Sequence, residues 1–398
     1  MNAHVFLQEK APAAGVQETL DAPANHPASG LLRGYIVRVI GTVVAASAVT
    51  PTYSDWRDTI LETVVPSIQL FAPRYSQQLM SANITGGFLA KVYEDAYGEG
   101  LPIEVNNSPV TQNGGVQIST SPLAFQVDLF IPFETPKLGM DRLWTCPPCL
   151  LFRGDVTLKF QWVAAVTVQS VVLTFSALTF RWLAFSACGD TARLPVIHRF
   201  ERRTYSQNAF DVGRGFPLFM TDNRAPDQTI QYNTFLDGKS LHQGSLYGED
   251  YVSAYRISNK DIVPENSVYT PLLYVPENST VNDLMFASRS IAFQLAGASS
   301  GTMDLHTIEP ASNVVKSALK SALGIPDGAQ TGTPPTAPNS APVGNVVRKV
   351  AMNGPRTLLV AGGGGLQAVQ SVAAPTVPTV PSGSTGASIA SAMAQAGR

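Results

Sequence analysis

Cys146-Pro-Pro-Cys149 is the first place in this sequence to look for chemistry. Two thiols at that spacing can cycle through a disulfide or supply half of a zinc site. Redox work needs the pair at the start of a helix in a strand–helix–strand unit. Here the pair follows Leu143-Trp144, precedes a strand-like run and encloses two prolines. A zinc site needs four ligands. Cys188 and His198 could complete the set, but ten residues separate them, which is not a zinc-ribbon spacing. A proline-rich connection is the expected role.

Asp237-Gly238-Lys239-Ser240 resembles the end of a phosphate-binding loop, but Asn233 stands where that loop needs its first glycine. A turn is expected there, and Gly362–Gly365 reads as a flexible linker. The histidines, His4, His26, His198, His242 and His306, form no i, i+4 pair of the kind that holds a metal on a helix. The acids are scattered. Arg199, Arg202 and Arg203, broken by Glu201 and followed by Tyr205, read as a loop that pairs with a neighbouring subunit rather than as a nucleic-acid patch. The expectation is therefore a protein that is not an enzyme, with no catalytic, cofactor or metal site and no cofactor.

The elements behind these residues are overwhelmingly strands. Phe125, Val127, Leu129, Ile131 and Phe133 alternate with other residues, as do Val156, Leu158, Phe160 and Trp162. Leu178, Phe180 and Trp182 repeat the pattern, as do Ile291, Phe293 and Leu295, and Tyr35, Val37 and Val39 begin it with Arg38 on the opposite face. Period two marks strands with one face in a core. Gly86-Gly87, Asn113-Gly114-Gly115, Asp237-Gly238 and Pro264-Glu265-Asn266 read as turns between them. The best helix is Trp56–Val65, where Trp56, Ile60 and Val64 step by four until Pro66.

Many short strands with polar loops predict an all-β protein of two consecutive eight-stranded jelly rolls, spanning 31–165 and 166–310. Residues 1–30 read as a disordered N-terminal arm. Residues 311–398 read as a low-complexity tail, disordered from about 325. Within the tail, Val314–Leu323 is amphipathic but too short to persist without a docking partner.

Of the 398 residues, 14% are charged, well below the roughly 25% of ordinary soluble domains, so much of the surface is expected to lie against neighbours. The net charge is −2. Lys316, Lys320, Arg348, Lys349, Arg356 and Arg398 against Asp327 leave the tail at +5 and the rest at −7. That is too thin for a dedicated nucleic-acid binder. Three cysteines suggest folding under reducing conditions. The N-terminus lacks the pattern of a signal peptide, and no run of 18 apolar residues could form a membrane-spanning helix.

Three stretches, in this order, resemble the major capsid proteins of tailless, membrane-containing bacteriophages of the tectivirus type. Gly30-Leu-Leu-Arg-Gly-Tyr-Ile-Val-Arg-Val39 is similar to that family's opening strand. Phe125–Glu134 is similar to the proline-ended strand closing its first roll. Thr221-Asp-Asn-Arg-Ala-Pro-Asp-Gln-Thr-Ile-Gln-Tyr232 is similar to a stretch of its second roll. The compact core and the Ala/Gly/Pro tail depart from the family pattern and fit a more distant membrane-containing lineage equally well. The resemblance implies a major capsid protein that forms homotrimers of pseudo-hexagonal outline. These would tile an icosahedral shell with neighbouring capsomers, minor capsid proteins and vertex proteins. The arms would reach toward internal membrane lipid, and sequence-specific nucleic acid is not an expected partner. The protein would be made in the host cytoplasm and reside in the virion. Alternatives are a minor capsid, vertex or host-attachment protein and, less favoured, a β-sandwich or cupin-like enzyme.

Overall fold

The computed structural model describes residues 2–21, 26–76, 79–154, 156–189, 196–206, 209–214, 216–225, 229–236, 238–240, 246–259, 269–275, 279, 290–296, 300–311, 313–323, 356–362 and 365–372. The chain divides into two compact units, 1–328 and 329–398.

The first unit contains two sandwiches. The strands of the first, in chain order, are β1 (Asn2–Lys10), β2 (Glu18–Asp21), β3 (Leu31–Ala45), β4 (Ser67–Phe71), β5 (Ile103–Val105), β6 (Ser108–Pro109), β7 (Leu123–Pro132), β8 (Thr157–Gln161), β9 (Ala165–Val168) and β10 (Val171–Ala187). Those of the second are β11 (Val196–Tyr205), β12 (Ala209–Arg214), β13 (Phe216–Asp222), β14 (Gln231–Leu236), β15 (Lys239–Ser240), β16 (Leu246–Tyr247), β17 (Thr270–Tyr274), β18 (Ser290–Ala296) and β19 (Gly301–Pro310).

The same strand order occurs twice. The larger sheet of the first sandwich runs β1-β10-β3-β7, extended by β5 and β6, and faces β2-β8-β4. The second has β11-β19-β13-β17 facing β12-β18-β14, with β15 and β16 both paired to β14. In both, the last strand lies between the first and third, and the strand preceding it in the wind lies between the second and fourth. All these pairings are antiparallel. This doubly wound antiparallel order is a jelly roll, so the protein is an all-β double jelly roll.

Two expectations about the limits of the first roll change. Residues 1–30 are not simply an arm, because β1 and β2 are the first two strands of the first roll. β1 pairs along β10 from Asn2↔Ala187 to Lys10↔Phe180, and β2 pairs with β8. Leu7 and Leu20 are buried there. No local alternation announces these strands, and partners some 140 to 185 residues away decide them. The sheets also regroup between Ala187 and Val196, later than the division at 165–166, because β10 hydrogen-bonds along β3 in the first roll.

The alternating residues face the interiors as their period requires. Tyr35, Val37, Val39, Val127, Leu129, Leu158, Phe180 and Trp182 are all buried. Phe160 and Phe180 stack across the two sheets with centroids 4.1 Å apart.

The helix expected at Trp56–Val65 forms as Tyr53–Asp55, a π-helical turn Trp56–Ile60, and Leu61–Val64. Thr52 caps it through a reciprocal bond with Asp55. Gly86-Gly87, expected as a turn, instead opens the helix Gly86–Tyr97, capped by Thr85. The glycines are there for close approach: a Cβ on Gly87 would lie 2.5 Å from the Arg57 carbonyl oxygen. A further helix, Gly248–Asn259, also lacked a clear sequence signal. The amphipathic segment forms the helix Asn313–Ala322, which docks on the Cys149–Leu151 turn and buries Leu319.

The second unit contributes β20 (Arg356–Gly362) and β21 (Gly365–Val372), paired antiparallel, with Gly362 opposite Gly365. The disorder expected from about 325 otherwise falls outside the described residues, as does the turn expected at Pro264-Glu265-Asn266.

Candidate functional site

The chemically dense region lies where the two rolls meet. One apolar cluster runs through the first roll's interior and takes in Ile197, Phe200, Phe219 and Tyr269 of the second. A set of buried charges is embedded in this contact.

Asp304 on β19 is fully buried. It accepts hydrogen bonds from Arg202 Nε (2.6 Å) and Nη2 (2.8 Å), and from Lys91 Nζ of the first roll (3.3 Å). Arg202 also pairs with Glu62 of the first roll, and Lys91 donates to Asn223 Oδ1 at 2.7 Å. Burial opposes ionisation of Asp304, but Lys91 and Arg202 outweigh it and hold the carboxyl below its ordinary range.

Beside this group, Arg57 is fully buried in the π-helical turn. It donates from Nη1 to Glu94 at 2.9 Å and from Nη2 to Asp58 at 2.5 Å. The Tyr269 hydroxyl of the second roll donates to Glu94 at 3.3 Å, and its ring lies 4.9 Å from the Arg57 guanidinium. Asp95 accepts from Lys137 Nζ at 2.7 Å and from the Tyr255 hydroxyl at 2.9 Å. Burial pushes the carboxyls of Glu94 and Asp95 upward, against the pull of Arg57 and Lys137. Glu94 and Asp95 follow Lys91 by three and four residues on the Gly86–Tyr97 helix, so one helical face carries the ionic contacts.

His198 and His306 complete the seam. His198 Nε2 donates to the Thr145 carbonyl at 2.9 Å, and its Nδ1 shares a hydrogen bond with His306 Nε2, 2.9 Å away. Burial, with His198 adjacent, pushes the His306 pKa well down. These contacts orient the rolls. Buried ion pairs cost desolvation and add specificity more surely than net stability. The arrangement therefore suits a fixed angle between two rigid blocks.

The residues singled out for chemistry lie elsewhere or act structurally. Cys146 and Cys149 are buried thiols, and burial pushes the Cys149 pKa up to about 12, far from a redox nucleophile. Exposed Cys188 is not joined to either by a disulfide. Leu236 pairs with Lys239, so the chain reverses within two residues at Gly238, whose φ of +75° favours glycine. Arg199 pairs with Glu309, Arg203 with Glu201, and Arg202 with Asp304 and Glu62, the three arginines lying on strand β11 rather than on a loop. Gly297-Ala-Ser-Ser-Gly301 has the spacing of a serine nucleophile elbow, but it joins strands β18 and β19 rather than a strand and a helix. Among the described residues, no three His, Cys, Asp or Glu side chains gather as a metal site.

No family model and no curated protein matches the sequence. Among solved structures, the major capsid protein of Sulfolobus Turreted Icosahedral Virus is similar over 77% of this chain and 96% of its own, with TM-score 0.49 and 12% identity. The major capsid protein of Bacteriophage PM2 is similar over 79% and 99%, with TM-score 0.44 and 10% identity. That of mavirus is similar over 77% and 87%, with TM-score 0.38 and 9% identity. The chain is similar in fold to viral major capsid proteins.

The stretches behind the sequence resemblance make paired contacts. The first and second lie on adjacent strands β3 and β7. They are joined by two bidentate pairs, Arg33–Glu134 (2.6 and 2.6 Å) and Arg38–Asp128 (2.7 and 2.7 Å). In the third, the Tyr232 and Tyr205 hydroxyls both donate to Asp222 at 2.9 Å. What sequence reasoning missed is the seam: Arg57, Lys91, Glu94, Asp95 and Asp304. The spacing of Lys91, Glu94 and Asp95 was the available signal, hidden once Gly86-Gly87 had been read as a turn.

Proposed function

We propose that this chain is the main shell-forming protein of an icosahedral virion, acting as a homotrimer of pseudo-hexagonal outline. The observation that carries this reading is the repetition of one jelly-roll strand order, with the two rolls locked by a buried seam. A rigid block of two similar rolls is half-way to a six-fold outline. Three copies around an axis present six similar units, and closed cyclic assemblies are the usual outcome for homo-oligomers. Both interiors are filled with aliphatic and aromatic side chains, which fits a structural rather than catalytic role.

The path of the chain supports a membrane-facing underside. Asn2 pairs with Ala187, and Val196 with Pro310, so each roll starts and ends at one rim. Ala187 and Val196, the end of one roll and the start of the next, are nine residues apart in sequence. The chain leaves the second roll there and enters the helix Asn313–Ala322, which carries Lys316 and Lys320. A cationic segment at that rim suits anionic lipid. Minor capsid and vertex proteins would be further partners in the virion, after synthesis in the host cytoplasm.

The test is the mass of the purified full-length chain by size-exclusion chromatography with light scattering, alongside stained gels of virions. A trimer, and a band that dominates the particle, are expected. A monomer at every concentration and salt overturns the reading, and a low-copy band assigns the chain to a minor or vertex role.

A further inference from the structure

The first strand of each roll is an outer strand of the sheet that also holds that roll's last strand: β1 beside β10 in the first, β11 beside β19 in the second. The outer edge of β11 is covered by the first roll. Phe200 N donates to the Leu79 carbonyl at 2.8 Å, and Ser81 N donates to the Phe200 carbonyl at 2.9 Å. The Tyr75 hydroxyl accepts from His198 N at 2.8 Å and donates to the Val196 carbonyl. Asn83 Nδ2 donates to the Arg202 carbonyl at 3.0 Å. A segment running from Tyr75 to Asn83 thus satisfies the outward backbone groups of β11 as an added strand would.

The matching edge, on β1, is bare among the described residues. Among the described residues β1 pairs only with β10, at eight positions and with a register shift at Leu7. Phe6 on it is 50% exposed, although it lies between half-buried Val5 and buried Leu7. Gln8 has a buried side-chain oxygen without a hydrogen-bond partner. An exposed strand edge is a template for another chain, and proteins normally cover or blunt one.

We infer that the outer edge of β1 is the docking site for the second roll of another copy of this chain, reproducing between copies the contact that the first roll makes with β11 within one copy. The occupant follows from the repeat. If roll one covers the first strand of roll two, the same head-to-tail contact continued from roll two to the next roll one propagates around a ring. Backbone pairing would supply affinity, and Phe6 would supply an apolar anchor. This inference rests on the shell-forming reading for the nature of its partner.

Hydrogen-exchange mass spectrometry of the full chain, assembled and dissociated, tests it. Amides in residues 2–10 are expected to exchange at least about tenfold more slowly in the assembly. Phe6→Asp is expected to weaken association at least tenfold while leaving the melting temperature of the dissociated chain unchanged, since Phe6 is half-exposed there. An assembly in which residues 2–10 exchange as fast as in the dissociated chain overturns this docking site and leaves the shell reading standing. Normal assembly of Phe6→Asp does the same. A chain that never self-associates overturns both.

Discussion

Replacing Asp304 with leucine tests the seam most directly. The carboxylate is fully buried and takes three charge-assisted hydrogen bonds, two from Arg202 and one from Lys91. Leucine has similar bulk but removes the anion. Lys91 and Arg202 stay buried, with side chains 5% and 9% exposed, and among the described residues only Arg202 keeps a carboxylate, Glu62. Stripping one partner from a buried ion pair leaves an uncompensated charge and costs about 3–5 kcal/mol. Asp304→Asn keeps one acceptor oxygen and should cost less, about 2 kcal/mol, the scale of a hydrogen bond to a charged group. Adding Lys91→Met to Asp304→Leu removes the stranded cation and should restore part of the loss, a coupling that a double-mutant cycle reads directly. The assay is urea unfolding of the full-length chain, followed by tryptophan fluorescence with the slope checked for constancy. A loss below about 1 kcal/mol for Asp304→Leu, against the 3–5 expected of a broken buried pair, refutes the argument. So does a triple of variants whose effects simply add.

Three further outcomes follow from particular residues. His26 is buried, bonds to the Tyr35 hydroxyl through Nε2 at 2.8 Å, and has its pKa lowered by burial to about 4. The unfolded chain binds that proton first, so His26 contributes stability in full above about pH 6.5 and loses about 1.4 kcal/mol of it by pH 5.5; melting temperature should fall over this range, and less in His26→Gln. His306, also displaced downward by burial, adds in the same direction, while Glu94 and Asp95, displaced upward, act oppositely, so the difference between the native chain and His26→Gln is the quantity that carries the test. Gly87→Ala drives a Cβ to 2.5 Å from the Arg57 carbonyl and should cost about 1–3 kcal/mol by overpacking, read as a shifted unfolding midpoint; an unchanged midpoint would show that the two helices separate freely. With a thiol reagent, exposed Cys188 should react within seconds to minutes and Cys149 only on unfolding, because burial holds that thiol protonated; fast labelling of Cys149 contradicts this.

The strands of both interiors were legible because a half-buried strand writes its two faces into alternate residues. Phe125 through Phe133 and Leu178 through Trp182 did so. The motif pairs Arg33–Glu134 and Arg38–Asp128 were half legible: each member sits in a recognisable strand, but the register joining them is a property of the sheet. The seam was less legible still. Met303-Asp-Leu-His306 alternates apolar and polar residues, which normally marks a strand with one face in water. In this protein the polar face is buried too, because Asp304 and His306 meet Lys91, Arg202 and His198.

By itself, the sequence determined the class of the fold. The local period of its side chains specifies strands, its turn residues specify where they end, and its Ala/Gly/Pro composition sets the tail apart from the core. Only the tertiary structure decided that residues 2–21 belong to the first roll, that β10 closes that roll rather than opening the second, and that charged residues on separate elements form one seam. The reason is range. Periodicity and turn chemistry act between near neighbours, whereas β1 is defined by β10 and Lys91 by Asp304, partners more than 170 residues away.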